Sequence, residues 1–471
     1  MPKTVKYIGT VTRWPELATT GKQSTWVPGQ QEQRSDTEAA QLLATGLFSD
    51  VDATQLPEQK VVAISGVVSG AGKSASQCVR SGRSAVGWSL TNNSGATGSM
   101  ALTASGSPFG WPALKVTIPN DTGNVDIIAA GLGLDEFTAG RGNLVIHVYV
   151  EDELGIKQIR PYVGNDGGFT RNMDFAYSLS NNSHQRANGH HIIHINPDNA
   201  TANTLLTTDP VDSVRLRISG QPAGGVVWIE GIYVPDPVQP WMVVTVDDAD
   251  LSMYERFHRE LAARGLMGTF AINWDDVGTN SALFCSQAQL QEMYDYGHDM
   301  SSHNRTNTSY AATTPPTAQP SDADRLTYAT AYRYTRGVMR SLRWTRALGY
   351  HPFVQGLHDG ALVAAMQAHG MVLGRGVGPG NVEPFRLDCQ QVIRQRQLGS
   401  GYSLATAQGW VNSAVARSQD VVLMGHVLAN TATNTVTWAQ TDFAALIEYA
   451  LAAGMRVGSV SQWAAARGVW V

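Results

Sequence analysis

The stretch WMVVTVDDA, residues 241–249, decides how the second half of the chain is read. Six strand-forming residues end in two adjacent carboxylates, directly after the linker PDPVQP at 235–240. Apolar strands then alternate with helical stretches. A helix is expected around Tyr254 to Arg264, a strand at 268–272 (GTFAI) and a helix around Gln287 to Tyr296. Further helices fall near Ala323 to Leu348 and Gly360 to His369, and the end reads helix Phe443 to Ala453, strand Arg456 to Ser459, helix. Such alternation predicts a parallel β/α barrel, whose chemistry sits at the C-terminal ends of its strands. Asp247 and Asp248 stand where the first strand ends.

Upstream the pattern changes. Between Val61 and Val234, short apolar runs such as ALKVTI (113–118), LVIHVYV (144–150), VRLRI (214–218) and VVWIEGIYV (226–234) are broken by Gly, Asn, Asp and Pro clusters. Many short strands without helical periodicity predict a β-sandwich. Its closing strand resembles the last strand of jelly-roll carbohydrate-binding modules, a class that includes plain structural spacers. The histidines of GHHIIHINP (189–197) read as structural: on a strand, His190 and His194 share a face but stand about 13 Å apart, too far for one ion. Residues 1–58 form a small polar unit with a helix from Asp36 to Phe48, opened by Ser35 and Glu38 in capping-box spacing. The expected fold is thus multidomain, a jelly-roll-like β-sandwich followed by a distorted parallel β/α barrel. Its parts are an anchor-like or docking segment at 1–58, the sandwich at 59–236 and the barrel at 240–471.

Composition narrows the partners. Charged residues are 15% of the 471, below the usual quarter or so, and the formal net charge is -5. That gives no general attraction to nucleic acid or to anionic membranes, and a neutral glycan fits better. Cys78, Cys285 and Cys389 are odd in number and lack CxxC spacing, so reduced, mostly buried thiols are expected. The N-terminal MPKTVKYIGTVTRW has no apolar signal-peptide core, which predicts a non-Sec route if the protein acts outside a cell.

Two adjacent carboxylates at a strand end can divide labour, one holding a divalent ion and the other acting as base on water; the bland alternative is helix capping. HDMSSHNRTN (298–307) places His303 and Asn307 four residues apart, so that a helical turn there aims both at one ion. VVLMGH (421–426) is a buried strand that ends at His426. Together these segments resemble the polysaccharide deacetylase family, the NodB-type carbohydrate esterases. Thr245-Val246-Asp247-Asp248-Ala249 is similar to the family's Thr-Phe-Asp-Asp-Gly motif. Gly297-His298-Asp299 through His303 resembles its second motif, and Leu423 to His426 its late Leu-x-x-His motif.

The resemblance implies that Asp247 is the catalytic base and that Asp248 and His303 bind metal. It makes Asn307 the stand-in for the family's second metal histidine and His426 the acid. It also implies a divalent metal cofactor, zinc first and Co2+, Ni2+ or Mn2+ as substitutes. The chain departs from the family in three places. Asn307 replaces a histidine, Ala249 replaces a glycine, and His351-Pro352-Phe353 lacks the arginine that orients the base. Asp388, in PFRLD, is a loose counterpart of the family's later acidic residue.

Trp274, Trp410, Trp438 and Phe353 are weighed as a sugar platform, with core packing the commoner role for such aromatics. His298 reads as structural. The expected reaction is N- or O-deacetylation of an acetylated bacterial polysaccharide. A glycan-binding or structural virion protein with an inactive barrel is the alternative. A glycoside hydrolase is less consistent, because its two carboxyls flank a bond, whereas these acids are adjacent. The pattern YIGTVTRWPELATTG, WVPG and a helix resembles N-terminal segments of phage tail proteins, which implies a virion location, attachment to other tail proteins and a homotrimer.

Overall fold

The computed structural model describes residues 76–471, except 94, 104, 119–122, 135–143, 152–155, 176–188, 196–201, 206–208, 221–223, 236, 308–320 and 383–391. Of the first 75 residues it describes only short strands. The chain divides into two compact units, Met1–Ser76 and Gln77–Val471. In the first, Lys3–Tyr7 pairs antiparallel with Gln31–Arg34 and with Phe48–Asp50. The helix expected over 36–48 lies outside the described residues, apart from Phe48, which opens a strand.

Within the second unit, residues 77–235 build two antiparallel sheets on one core. Ile156–Gly164, Val211–Gly220 and Asn124–Leu134 are adjacent in one sheet, and Leu144–Val150, Gly225–Pro235 and Ala113–Ile118 in the other. The period-two alternation that predicts them also packs them. Leu144, Ile146, Val148 and Val150 from one sheet meet Val125, Ile127, Leu216 and Ile218 from the other.

The C-terminal part is a nearly closed barrel of parallel strands. They are β1 (Trp241–Val246), β2 (Thr269–Ile272), β3 (Asp299–Ser302), β4 (Tyr350–Pro352), β5 (Leu373–Pro379), β6 (Val392–Gln397) and β7 (Val421–Gly425), in the order β3-β2-β1-β7-β6-β5-β4. An eighth strand, β8 (Arg456–Gly458), pairs with the start of β1. The two ends of this order, β3 and β4, are joined by reciprocal histidine bonds. His303 Nδ1 lies 2.9 Å from the Pro352 carbonyl, and His351 Nδ1 2.8 Å from that of Ser302.

Every residue of β1 is buried, and its two faces pack differently. Met242, Val244 and Val246 join Phe270, Ile272, Met300 and Leu423 in the layer under the helices. Trp241 and Val243 join Tyr350, Leu373, Ile393 and Val422 in a separate cluster. Alternation therefore sends Val243, Thr245 and, one step on, Asp247 to the inner face.

The helices include Gln287–Tyr296, opened by a capping box between Ser286 and Gln289, and Leu404–Arg417, which is additional to those expected from the sequence. The helix expected from Ala323 to Leu348 runs from Asp322 to Ser341, because left-handed backbone at Arg343 (φ 63) and Ala347 (φ 55) ends it. The one expected from Tyr254 to Arg264 begins as a wide π-type turn, Met253–His258, and continues as Arg259–Ala262. Among the described residues, no helix is long and apolar enough to cross a membrane.

Candidate active site

Strand register brings the rim residues together. Val246 pairs with Gly425 and Ile272 with Ser302, so Asp247, His426, Asn273 and His303 each stand one residue beyond a paired strand end. The Asp247 N–H donates to the Gly425 carbonyl at 2.9 Å, and the Asp248 N–H to that of Ala271 at 3.1 Å. Asp248 is out of step with the inner face, and the backbone corrects for it. At φ 84, followed by Ala249 at φ 59, the chain turns left-handed immediately after Asp247. Asp248 Oδ1 thereby comes within 3.4 Å of His303 Nε2. Two consecutive non-glycine residues in this region hold strain of the kind concentrated at functional sites.

Asp247 is 2% exposed and pairs through Oδ2 with the guanidinium of Arg375, itself 1% exposed. The 351–353 segment brings no arginine to Asp247; Arg375 comes one strand later, from β5. Its place was legible in principle, since Leu373 and Arg375 share a face by strand alternation, but the Gly-rich LGRGVGP does not advertise a strand. The other oxygen, Asp247 Oδ1, is buried with no hydrogen-bond partner, as are His426 Nδ1 and Asn273 Oδ1.

Burial opposes the charge on Asp248, yet the hydrogen bond and charge of His303 outweigh it and hold the carboxyl below its ordinary range. Burial likewise works against a charged His303, and Asp247 and Asp248 more than compensate, raising it. For His426 burial wins over the same two acids, and the ring is held below its usual value.

The expected helical turn after His303 is not formed. Asn304 is left-handed (φ 75), residues 305–307 are bends, and Asn307 is exposed. The spacing that was to aim Asn307 at the ion alongside His303 thus has no helix behind it. Asn273 is the amide that reaches the acid, its Nδ2 donating to Asp248 Oδ1 at 3.2 Å. Asp388 and Cys389 lie outside the described residues. Trp438, Phe353 and Trp410 are buried core residues, and Trp274 is half-buried. His298 is structural: it accepts from the Gly268 N–H at 2.9 Å and bonds His258 at 2.9 Å. Of the two described cysteines, both free, Cys285 is buried and Cys78 is exposed.

Among the described residues, no group of three or more His, Cys, Asp or Glu side chains is arranged to hold a metal ion. The donors that are present nevertheless suit one. The Pro352 carbonyl requires a proton on His303 Nδ1, leaving the Nε2 lone pair to face a carboxylate oxygen unless a proton or cation lies between them. A carboxylate oxygen and an imidazole nitrogen on one zinc, each at about 2.0–2.1 Å in tetrahedral geometry, stand about 3.4 Å apart. That is the separation seen for Asp248 and His303.

No protein-family model matches the chain, and no curated protein does. Solved structures do. The Xyl-CE4 domain of a multidomain xylanase from the hindgut metagenome of Trinervitermes trinervoides is 12% identical, with 49% of this chain and 93% of that domain covered and a TM-score of 0.33. The chitin deacetylase of the fungal pathogen Colletotrichum lindemuthianum is 16% identical, covering 48% of this chain and 88% of its own, at a TM-score of 0.33. A family 11 carbohydrate-binding module of Clostridium thermocellum cellulase Lic26A-Cel5E is 8% identical, over 34% of this chain and 94% of the module, at a TM-score of 0.26. The activities in those names belong to those proteins.

Proposed function

We propose that the barrel is a metal-dependent hydrolase that removes N- or O-acetyl groups from a bacterial surface polysaccharide. One observation carries this reading: Asp247 has one oxygen held by Arg375 and the other buried without a partner, beside the Asp248–His303 pair at 3.4 Å. A general base needs that division, one oxygen fixing orientation and one available for a proton.

Asp248 and His303 are assigned to hold the ion. When bound, it supplies Lewis acidity toward the acyl carbonyl and acidifies water. Asp247 takes the proton from the attacking water on Oδ1. His426, facing the same acids, delivers a proton to the departing amine or alcohol. Burial holds the His426 ring below its usual range, and the proton it delivers is the one that Asp247 took from the water, so both groups end the cycle as they began it. Adjacent acids with two histidines match acyl transfer better than glycoside cleavage.

The test is acetate release from N- and O-acetylated bacterial polysaccharides, with mass spectrometry of the polymer before and after. Acetate lost from an intact chain, abolished by chelator and restored by zinc, is the expected result. Shortened chains without acetate would indicate a glycoside hydrolase, and binding without either product an inactive, glycan-binding barrel. We further infer a place in a phage tail, as a homotrimer, from the tail-like pattern of the N-terminal segment. A monomer by light scattering at micromolar concentration would contradict the trimer.

A further inference from the structure

Asp248 and His303 are two donors, and a catalytic zinc site ordinarily has three from the protein. We propose that Asn273 supplies the third, through its side-chain oxygen. This rests on the metal-dependent reading above.

Asn273 follows β2 directly and is fully buried. Backbone bonds on both sides fix its place: His303 N–H donates to the Ile272 carbonyl at 2.9 Å, and Trp274 N–H to that of Asn304 at 3.2 Å. Its amide and His303 Nε2 therefore converge on one atom, Asp248 Oδ1, at 3.2 and 3.4 Å. The amide nitrogen faces that oxygen, and the amide oxygen is buried with no partner.

A half-turn of the amide exchanges oxygen and nitrogen at almost no change in shape, and which end faces the acid depends on what lies between them. With nothing there, N–H toward carboxylate is favoured. With a cation there, the oxygen is. Two oxygens on one ion at about 2.1 Å and roughly 100° stand about 3.2 Å apart, so the turned amide needs no backbone movement. The turn relieves the unpartnered oxygen. It also withdraws the nitrogen from Asp276, which faces the same amide and is only half-buried, so that water can replace it. A set of one carboxylate, one imidazole and one neutral amide binds zinc less tightly than a set with two imidazoles, and favours harder ions more.

The experiment is zinc affinity of the full chain by competition with a chromophoric chelator, together with the visible absorption of bound Co2+. Asn273→Ala is expected to weaken zinc at least ten-fold and to alter the Co2+ spectrum, with Asn307→Ala unchanged in both. Asn273→Asp, nearly the same shape and still offering oxygen, is expected to bind at least as tightly as wild type. That variant keeps the test open should the alanine variant fold poorly by circular dichroism. Wild-type affinity in Asn273→Ala, or a ten-fold loss in Asn273→Asp, overturns the assignment of Asn273 while leaving the metal reading intact. A wild-type chain that takes up no ion overturns both.

Discussion

Arg375 and Asp247, 128 residues apart in sequence, form an ion pair buried on both sides across the barrel. Removing both charges from such a pair is often tolerated, whereas removing one leaves the other stranded.

Arg375→Met should therefore cost about 3–5 kcal/mol of stability and most of the turnover. Adding Asp247→Asn to that variant should recover part of the stability and none of the activity. Chemical denaturation of the two single variants and the double variant measures the coupling. Strict additivity would show that the pair is not an energetic unit.

Ala249 sits left-handed at φ 59 where its methyl is fully buried. Glycine there would relieve about 1–2 kcal/mol of backbone strain, against about 0.8 kcal/mol for the buried methyl and about 0.5–1 kcal/mol of extra chain entropy. These nearly cancel. Ala414, fully buried inside the helix Leu404–Arg417, has no strain to relieve. Ala249→Gly is expected to be at least about 1 kcal/mol milder than Ala414→Gly. Equal losses in thermal unfolding would contradict the strain at residue 249.

Much of this centre is legible from strand parity. WMVVTVDD shows a buried strand with Asp247 continuing its inner face, and VVLMGH does the same for His426. Asn273 has the same signal, being the next residue after TFAI, but a lone amide attracts no notice beside acids and histidines. Arg375 was missed because its strand is glycine-rich and it reaches Asp247 from a different strand than the one expected. The helical spacing expected to aim Asn307 beside His303 is not formed, because Asn304 is left-handed. The helix at 404–417, not among those expected, carries Ala407, Trp410, Val411 and Ala414 at i, i+3, i+4 and i+7, a helical period that the sequence does display.

Acid sensitivity should trace in part to His298. Burial, more than the nearby charges of His258 and Arg346, pushes its ring down to about 3 from an ordinary 6.5. The folded state therefore binds this proton less readily than the unfolded chain. The stabilising contribution is complete above about pH 6.5 and is lost progressively as pH falls toward 3. At about 1.4 kcal/mol per unit, the loss between pH 6.5 and 4.5 is about 2–3 kcal/mol. His298→Gln should lower stability at pH 7.5 and flatten this acid limb. An unchanged slope would place the acid sensitivity elsewhere.

The most direct measurement is made on Asp247→Asn, comparing zinc affinity with acetate release from the same preparation. With Asp248 and His303 intact, the variant is expected to bind zinc within a few-fold of wild type and to release no acetate above background. Retained acetate release would contradict the assignment of Asp247 as the base.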